Sequence, residues 1–172
     1  ASHSAGRQMS AHYSAPALNI LSLVGPVGNN ALQAVGIACE INDRRSRPLV
    51  VCGLGDGTAQ QGEVLEAIAE AVRCELPVLF LVEDNRYSIS TRTQGKTFYS
   101  MPAGDAEAFY GLTIHRVDGS DPVACLATFH DIVRHIRATR GPALCVMQVE
   151  RLTDHTNADD QQNTHLETGI VR

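Results

Sequence analysis

Apolar and polar positions fall into blocks along the chain. Leu49-Val50-Val51-Cys52 is a short, partly β-branched apolar run closed by a glycine cluster, and Val78-Leu79-Phe80-Leu81-Val82 is a second one that starts after Pro77. Each reads as a strand buried on both faces. Between them Val64, Leu65, Ile68, Ala69 and Val72 recur at helical spacing, while Glu63, Glu66, Glu70 and Arg73 take the opposite face, so the unit is βαβ. The pattern repeats with Leu112 to Val117 as a strand and Asp118-Gly119 as a turn. A helix carrying Val123, Leu126, Ile132, Val133 and Ile136 follows, then Leu144 to Met147 as a buried strand after Gly141-Pro142. Ala31 to Ile41 is a further helix. This alternation predicts an α/β fold, a doubly wound, mostly parallel sheet with helices on both faces. Ser2 to Ala17, the Gly25-Pro26-Val27-Gly28 corner, Ser90 to Asp105 and Arg151 onward read as loops.

The length of 172 residues, 44% of them hydrophobic, matches one domain with a sizeable core. A net charge of -5 with scattered Lys and Arg excludes a nucleic-acid or membrane-surface footprint. No apolar run approaches the roughly 20 residues of a bilayer span. The five cysteines sit singly in apolar stretches, without the spacing of a zinc site, and suit reduced core thiols in a cytoplasmic compartment. The chain opens Ala1-Ser2-His3 without Met, which reads as a processed chain or an excised piece.

Two segments carry the chemistry. Gly53-Leu54-Gly55-Asp56-Gly57 directly follows the first strand of the βαβ unit, and Glu83-Asp84-Asn85-Arg86-Tyr87 directly follows the second. Parallel neighbours lie about 4.8 Å apart, and a right-handed crossover puts both carboxyl ends on one sheet edge, so Asp56 and Asn85 share a crevice. An Asp carboxylate, an Asn carbonyl and a backbone carbonyl are hard oxygen ligands suited to magnesium bridging a diphosphate. A dinucleotide fingerprint fails because Thr58 stands at its third glycine, and an acid in the loop would repel a bare pyrophosphate. Gly95-Lys96-Thr97 is no phosphate loop either, since Ser90 occupies the position of the earlier glycine.

A GDG followed by 26 residues (58–83) and a pair ending in Asn is the thiamine-diphosphate signature. Gly55 to Glu63 with Glu83 to Ser90 resembles the alpha subunit of the decarboxylating component of 2-oxo acid dehydrogenase complexes. Gly6-Arg7-Gln8-Met9, His12-Tyr13 and Gln33-Ala34-Val35-Gly36 resemble the branched-chain type in particular. The resemblance covers residues 6 to 160 and implies that Asp56, the Asn85 side chain and the Tyr87 backbone hold magnesium. It implies that Gly57 and Thr58 lie along the diphosphate of thiamine diphosphate. The backbone of Gly25-Pro26-Val27 would meet the aminopyrimidine, with Val27 keeping the cofactor bent. The family's Asn-Asn pair is Asp84-Asn85 here, and Glu83 resembles the pyruvate type where the branched-chain type often has Arg.

Of the seven histidines, His115, His130 and His135 read as structural. His155, in the loop Arg151 to Asp160, matches the family's active-site loop and is the catalytic candidate at the reacting end of the cofactor. Thr156 occupies the position of a regulatory phosphorylated serine, and His12 matches a family histidine with an anchoring or catalytic role.

The resemblance implies oxidative decarboxylation of a 2-oxo acid, branched-chain or pyruvate, with acyl transfer to lipoamide on a lipoyl acyltransferase. It implies a beta subunit in an alpha2-beta2 heterotetramer, needed because the family's activating glutamate has no match here. It places a eukaryotic member in the mitochondrial matrix. The chain would be a single cofactor-binding domain, residues 1–172, of a subunit about twice as long. Its upstream Tyr-Arg pair has no counterpart here. An acetoin dehydrogenase or other thiamine enzyme subunit, and a non-catalytic metal-nucleotide module, are the alternatives.

Overall fold

The computed structural model describes residues 7, 12, 14–22, 25–152 and 154–156. Gly6, Gln8, Met9 and Tyr13 of the opening segment, and Asn157 to Asp160 of the active-site loop, lie outside the described residues.

In chain order the principal elements are α1 (Asn29–Ile41), β1 (Val50–Gly55), α2 (Gly62–Arg73), β2 (Val78–Asp84), β3 (Tyr87–Ser88) and β4 (Thr91–Arg92). They continue with β5 (Ser100–Met101), β6 (Gly104–Asp105), β7 (Ala108–Phe109), β8 (Leu112–Asp118), α3 (Pro122–Thr139) and β9 (Ala143–Gln148). The main sheet runs β1-β2-β9-β8-β7, parallel except for the edge strand β7. The crossover from β1 to β2 and that from β8 to β9 run in opposite directions across the sheet, so a constant right-handed connection puts their helices on opposite faces.

Strand alternation divides the core accordingly. Cys52, Leu54, Val78, Phe80, Val82, Leu144 and Val146 pack under α1 and α2. The small residues Ala31, Ala34 and Ala38 of α1 and Ala67 and Ala71 of α2 are buried there and let the two helices approach. On the other face Leu79, Val117, Ala143 and Cys145 meet Ile132 and Ile136 of α3. The Arg140 guanidinium closes the end opposite the carboxyl edge, donating to the carbonyls of Ile41, Asn42 and Pro48 and to Asn42 Oδ1. It thereby ties α3 to the α1–β1 connection.

Three expectations need correction. β1 is buried on one face only: Val51 is 58% exposed because α3 covers β2, β8 and β9 and stops short of the edge strand. On α3, Val123 and Leu126 are exposed, since helical geometry places them on a different stripe from Cys125, Phe129, Ile132 and Ile136. The segment from Ser90 to Asp105 is not a plain loop. It includes β4 and the β5–β6 hairpin, and Phe98, Tyr99 and Phe109 stack against the first core, with Phe98 and Phe109 centroids 4.5 Å apart. Arg116 pins this excursion by donating to the carbonyls of Tyr99 and Ala106. Of the five unpaired cysteines only Cys52 and Cys145 are buried, and burial pushes both thiols up to about 11.

His115 sits on β8, half-buried against α3, in a cavity lined also by Arg116, Thr128, Asp131 and His135. Burial lowers its pKa below the ordinary 6.5, and His135 adds to the shift. The native ring therefore holds a proton less well than the unfolded one. Its stabilising contribution is complete above the ordinary value and is lost as pH falls below it. His115→Gln should flatten part of the decline in melting temperature between about pH 7 and about pH 5. Circular-dichroism melts of the two proteins across that range check this, and an identical decline in both refutes it.

Candidate functional site

The register of the sheet builds the site. Val50 pairs with Val78 and the pairing runs without a slip to Gly55 opposite Glu83, so Asp56 leaves β1 where Asp84 leaves β2. Asp84 in turn lies opposite Gln148, which lies opposite Asp118, and four carboxyl ends form one edge. Two glycine contacts draw the crevice together. A Cβ on Gly57 would lie 2.6 Å from Ser88 Cβ, so the GDG loop and β3 are in direct contact. A Cβ on Gly28 would lie 2.9 Å from Gln61 Cβ, which sets the N-terminus of α1 against that of α2. Asn30 Nδ2 donates to the carbonyl of Gly53 at 2.9 Å and fixes the same junction. The Gly25-Pro26-Val27 corner thus leads directly into the junction of α1 with β1 and α2. Val27 is 60% exposed, and Gly25 faces His12 Nε2.

Asp56 is 3% exposed. Its Oδ1 accepts from the Gly57 N–H at 2.9 Å and its Oδ2 from the Thr93 hydroxyl at 2.6 Å. Among the described residues no Lys, Arg or His forms an ion pair with it. A buried carboxylate is ordinarily paired with a cation, because removing it from water costs several kcal/mol (order of magnitude). Both donors here are neutral, so they orient the charge without cancelling it.

Across the crevice, consecutive Asx turns shape the β2–β3 corner: Asp84 Oδ1 accepts from the Arg86 N–H at 2.8 Å and Asn85 Oδ1 from the Tyr87 N–H at 3.0 Å. Arg86 and Ile89 hold φ of 67° and 56°, a conformation that L side chains adopt at a cost. Burial raises the Asp84 carboxyl above the ordinary carboxylate value, partly offset by the Arg86 N–H, and the Asp56 and Asp105 charges push the same way as burial. Two like charges on adjacent strand ends, held by neutral donors, make a locus for a divalent cation. Among the described residues no group of three or more His, Cys, Asp or Glu is arranged around a metal.

Asp56, Gly57, Asn85 and Tyr87 are thus brought to one crevice, with Thr58 opening the short 3-10 turn before α2. His155 lies exposed beyond an anchor at Arg151. There the guanidinium donates to the Ile89 carbonyl at 2.6 Å and sits 5.5 Å from the Tyr87 ring centroid. The sequence reading missed Thr93 and Ser88. Neither is marked locally, because each earns its place through a contact distant in sequence with Asp56 or Gly57.

The whole site region falls within a match to the family model described as "Dehydrogenase E1 component", which spans residues 1–169. Among curated relatives, the chain is 36% identical over 135 residues to 3-methyl-2-oxobutanoate dehydrogenase subunit alpha of Mycobacterium tuberculosis. That match covers 78% of this chain and 36% of the relative. It is 30% identical over 159 residues to the mitochondrial 2-oxoisovalerate dehydrogenase subunit alpha of Mus musculus, covering 90% and 35%. The chain therefore spans about a third of the length of the curated relatives it matches. Among solved structures, benzoylformate decarboxylase from Polynucleobacter necessarius superposes with a TM-score of 0.51 at 18% identity, over 76% of this chain and 25% of that one. An enzyme from Mycobacterium smegmatis assigned to the thiamin diphosphate-dependent class gives 0.52 at 23%, over 74% and 23%. These likenesses identify the α/β fold, and the family match identifies the chain: it belongs to the dehydrogenase E1 component family.

Proposed function

We propose that this chain is the diphosphate-anchoring part of an E1 alpha subunit, binding thiamine diphosphate through magnesium. The complete enzyme would decarboxylate a branched-chain 2-oxo acid, or pyruvate, and pass the acyl group to lipoamide on a lipoyl acyltransferase. The observation that carries this reading is Asp56, a buried carboxylate at the carboxyl edge of the sheet that has only neutral partners among the described residues.

In this reading Asp56, the Asn85 side chain and the Tyr87 carbonyl hold the metal, and Gly57 and Thr58 line the diphosphate. Gly25 and Val27 border the aminopyrimidine end. When bound, thiamine diphosphate would supply the nucleophilic carbon and the electron sink that decarboxylation of a 2-oxo acid requires. The protein's part is to bind, orient and shield. The Asx turn at Asn85 fixes the amide side chain, and the GDG loop approaches closely because Gly57 lacks a Cβ. His155 is the group proposed to donate to developing oxyanions. Activity is proposed to need a beta subunit in an alpha2-beta2 assembly. Among the described residues no helix is long and apolar enough to cross a membrane.

Calorimetry on the complete two-chain protein, comparing magnesium and thiamine diphosphate with NAD and with ATP, tests the reading. A heat of binding specific to thiamine diphosphate with magnesium is expected, and its absence overturns it. Asp56→Asn keeps the shape and an acceptor for Thr93 while removing the charge. It should weaken magnesium-dependent cofactor binding on the order of a hundredfold without lowering the melting temperature of the metal-free protein.

A second prediction concerns the contact between the GDG loop and β3. Gly57 has φ of -64° and ψ of -40°, which alanine adopts freely, so the cost of Gly57→Ala is the collision with Ser88 alone. About 1–3 kcal/mol should be lost. Adding Ser88→Gly should restore most of it, because the Ser88 Cα lies 3.5 Å from the added methyl. Denaturant melts of the single and double variants measure the recovery, and no recovery would show the loop packs elsewhere.

A further inference from the structure

We infer that Thr93 is a positioning residue for the Asp56 carboxylate, setting the orientation in which that carboxylate meets its metal. The inference rests on the magnesium site proposed above and goes beyond it by naming a residue that touches neither metal nor cofactor. Thr93 is 8% exposed, and its hydroxyl donates to Asp56 Oδ2 at 2.6 Å, the short distance of a bond to a charged acceptor. With the Gly57 N–H on Oδ1, each carboxylate oxygen accepts one hydrogen bond. An ionised carboxylate has about four lone-pair sites, so both oxygens keep room for a metal while the side chain is held against rotation.

The chemistry of the donor matters. Lys or Arg at this place would hold Asp56 equally well but would neutralise it and compete with a cation. A hydroxyl orients and leaves the charge. Thr93 is also fixed by its own backbone, donating its N–H to the Arg86 carbonyl at 3.0 Å and accepting from the Lys96 N–H at 2.9 Å. It immediately follows β4, which pairs with β3 and thus with Tyr87. One side chain therefore couples the GDG loop to the hairpin that carries another proposed ligand, across 37 residues of sequence. On its other side Thr93 lines a mainly polar cavity of about 190 Å³ with Asp84, Gln94, Arg116 and Gln148.

Binding of Mn2+, as a spectroscopic substitute for magnesium, should be measured by electron paramagnetic resonance on the complete two-chain protein with thiamine diphosphate. Thr93→Val keeps the shape and removes the donor, and should weaken Mn2+ binding by about ten- to a hundredfold. Thr93→Ser restores the hydroxyl and should stay within about threefold of the wild type. A residue of structural importance alone would lower the melting temperature of the metal-free protein and leave the Mn2+ affinity of the folded fraction unchanged, and that result overturns the inference. Where Thr93→Val does not fold, Thr93→Cys, a weaker donor of similar size, takes its place, and wild-type affinity in it refutes the role. Wild-type protein that binds no Mn2+ under these conditions would sink the metal-site reading itself, and this inference with it. Tight binding by both the wild type and Thr93→Val would sink the inference alone.

Discussion

The parallel pairing of β1 with β2 is the constraint on which the other features of the site rest. Because Val50 opposes Val78 and the ladder runs unbroken to Gly55 opposite Glu83, Asp56 and Asp84 leave the sheet side by side. A slip of one residue would turn Cys52 and Leu54 from the core under α1 and α2 to the uncovered face, so burial holds the register. The same slip would carry Asp56 away from Thr93 and Gly57 away from Ser88. Core packing and site geometry are therefore specified by one choice of pairing.

What covers the sheet differs along its width, and the difference shapes the crevice. Over β1 and β2 the covering elements are α1 and α2, packed closely through alanines. Towards β8 and β9 the place of a helix is taken by the excursion from β3 to β7, anchored by stacked Phe98, Tyr99 and Phe109 and by the Arg116 fork. A helix there would present side chains at fixed spacing. The excursion can instead return Thr93 to the end of β1 after only a short hairpin, and it carries Tyr87 and Ser88 on the way. The strained φ values at Arg86 and Ile89 are the cost of turning the chain so sharply at the crevice.

Much of this was legible in the sequence, and the parts that were not share a cause. Periodicity alone located α1, α2, α3 and the four long strands, because each buries a face whose spacing is set by its own geometry. It could not say which of two apolar stripes on α3 meets the sheet, since Val123 with Leu126 and Ile132 with Ile136 are both helical patterns. Nor could it show that α3 fails to reach β1, which leaves Val51 exposed. The GDG and Asp84-Asn85 ends stood out because loops after parallel strands gather at one edge. Thr93 did not, since its role exists only once the hairpin folds back on Asp56.

The electrostatics of the crevice turn on neutral donors. Asp56 and Asp84 are each held by N–H or O–H groups, and the Asp84 carboxyl is already raised by burial and by the Asp56 charge. Pairing either acid with an arginine would have stabilised the empty fold and closed the site to a cation. Leaving Asp56 oriented by neutral donors makes the crevice favour a positive charge by an amount that depends on its arrangement. In the proposed site this chain offers magnesium three oxygens of the six that an octahedral shell requires. The remainder must come from diphosphate and water, so metal and cofactor binding stabilise each other by thermodynamic necessity. That coupling explains why a residue such as Thr93, which only orients a carboxylate, can bear on how tightly the organic cofactor is held.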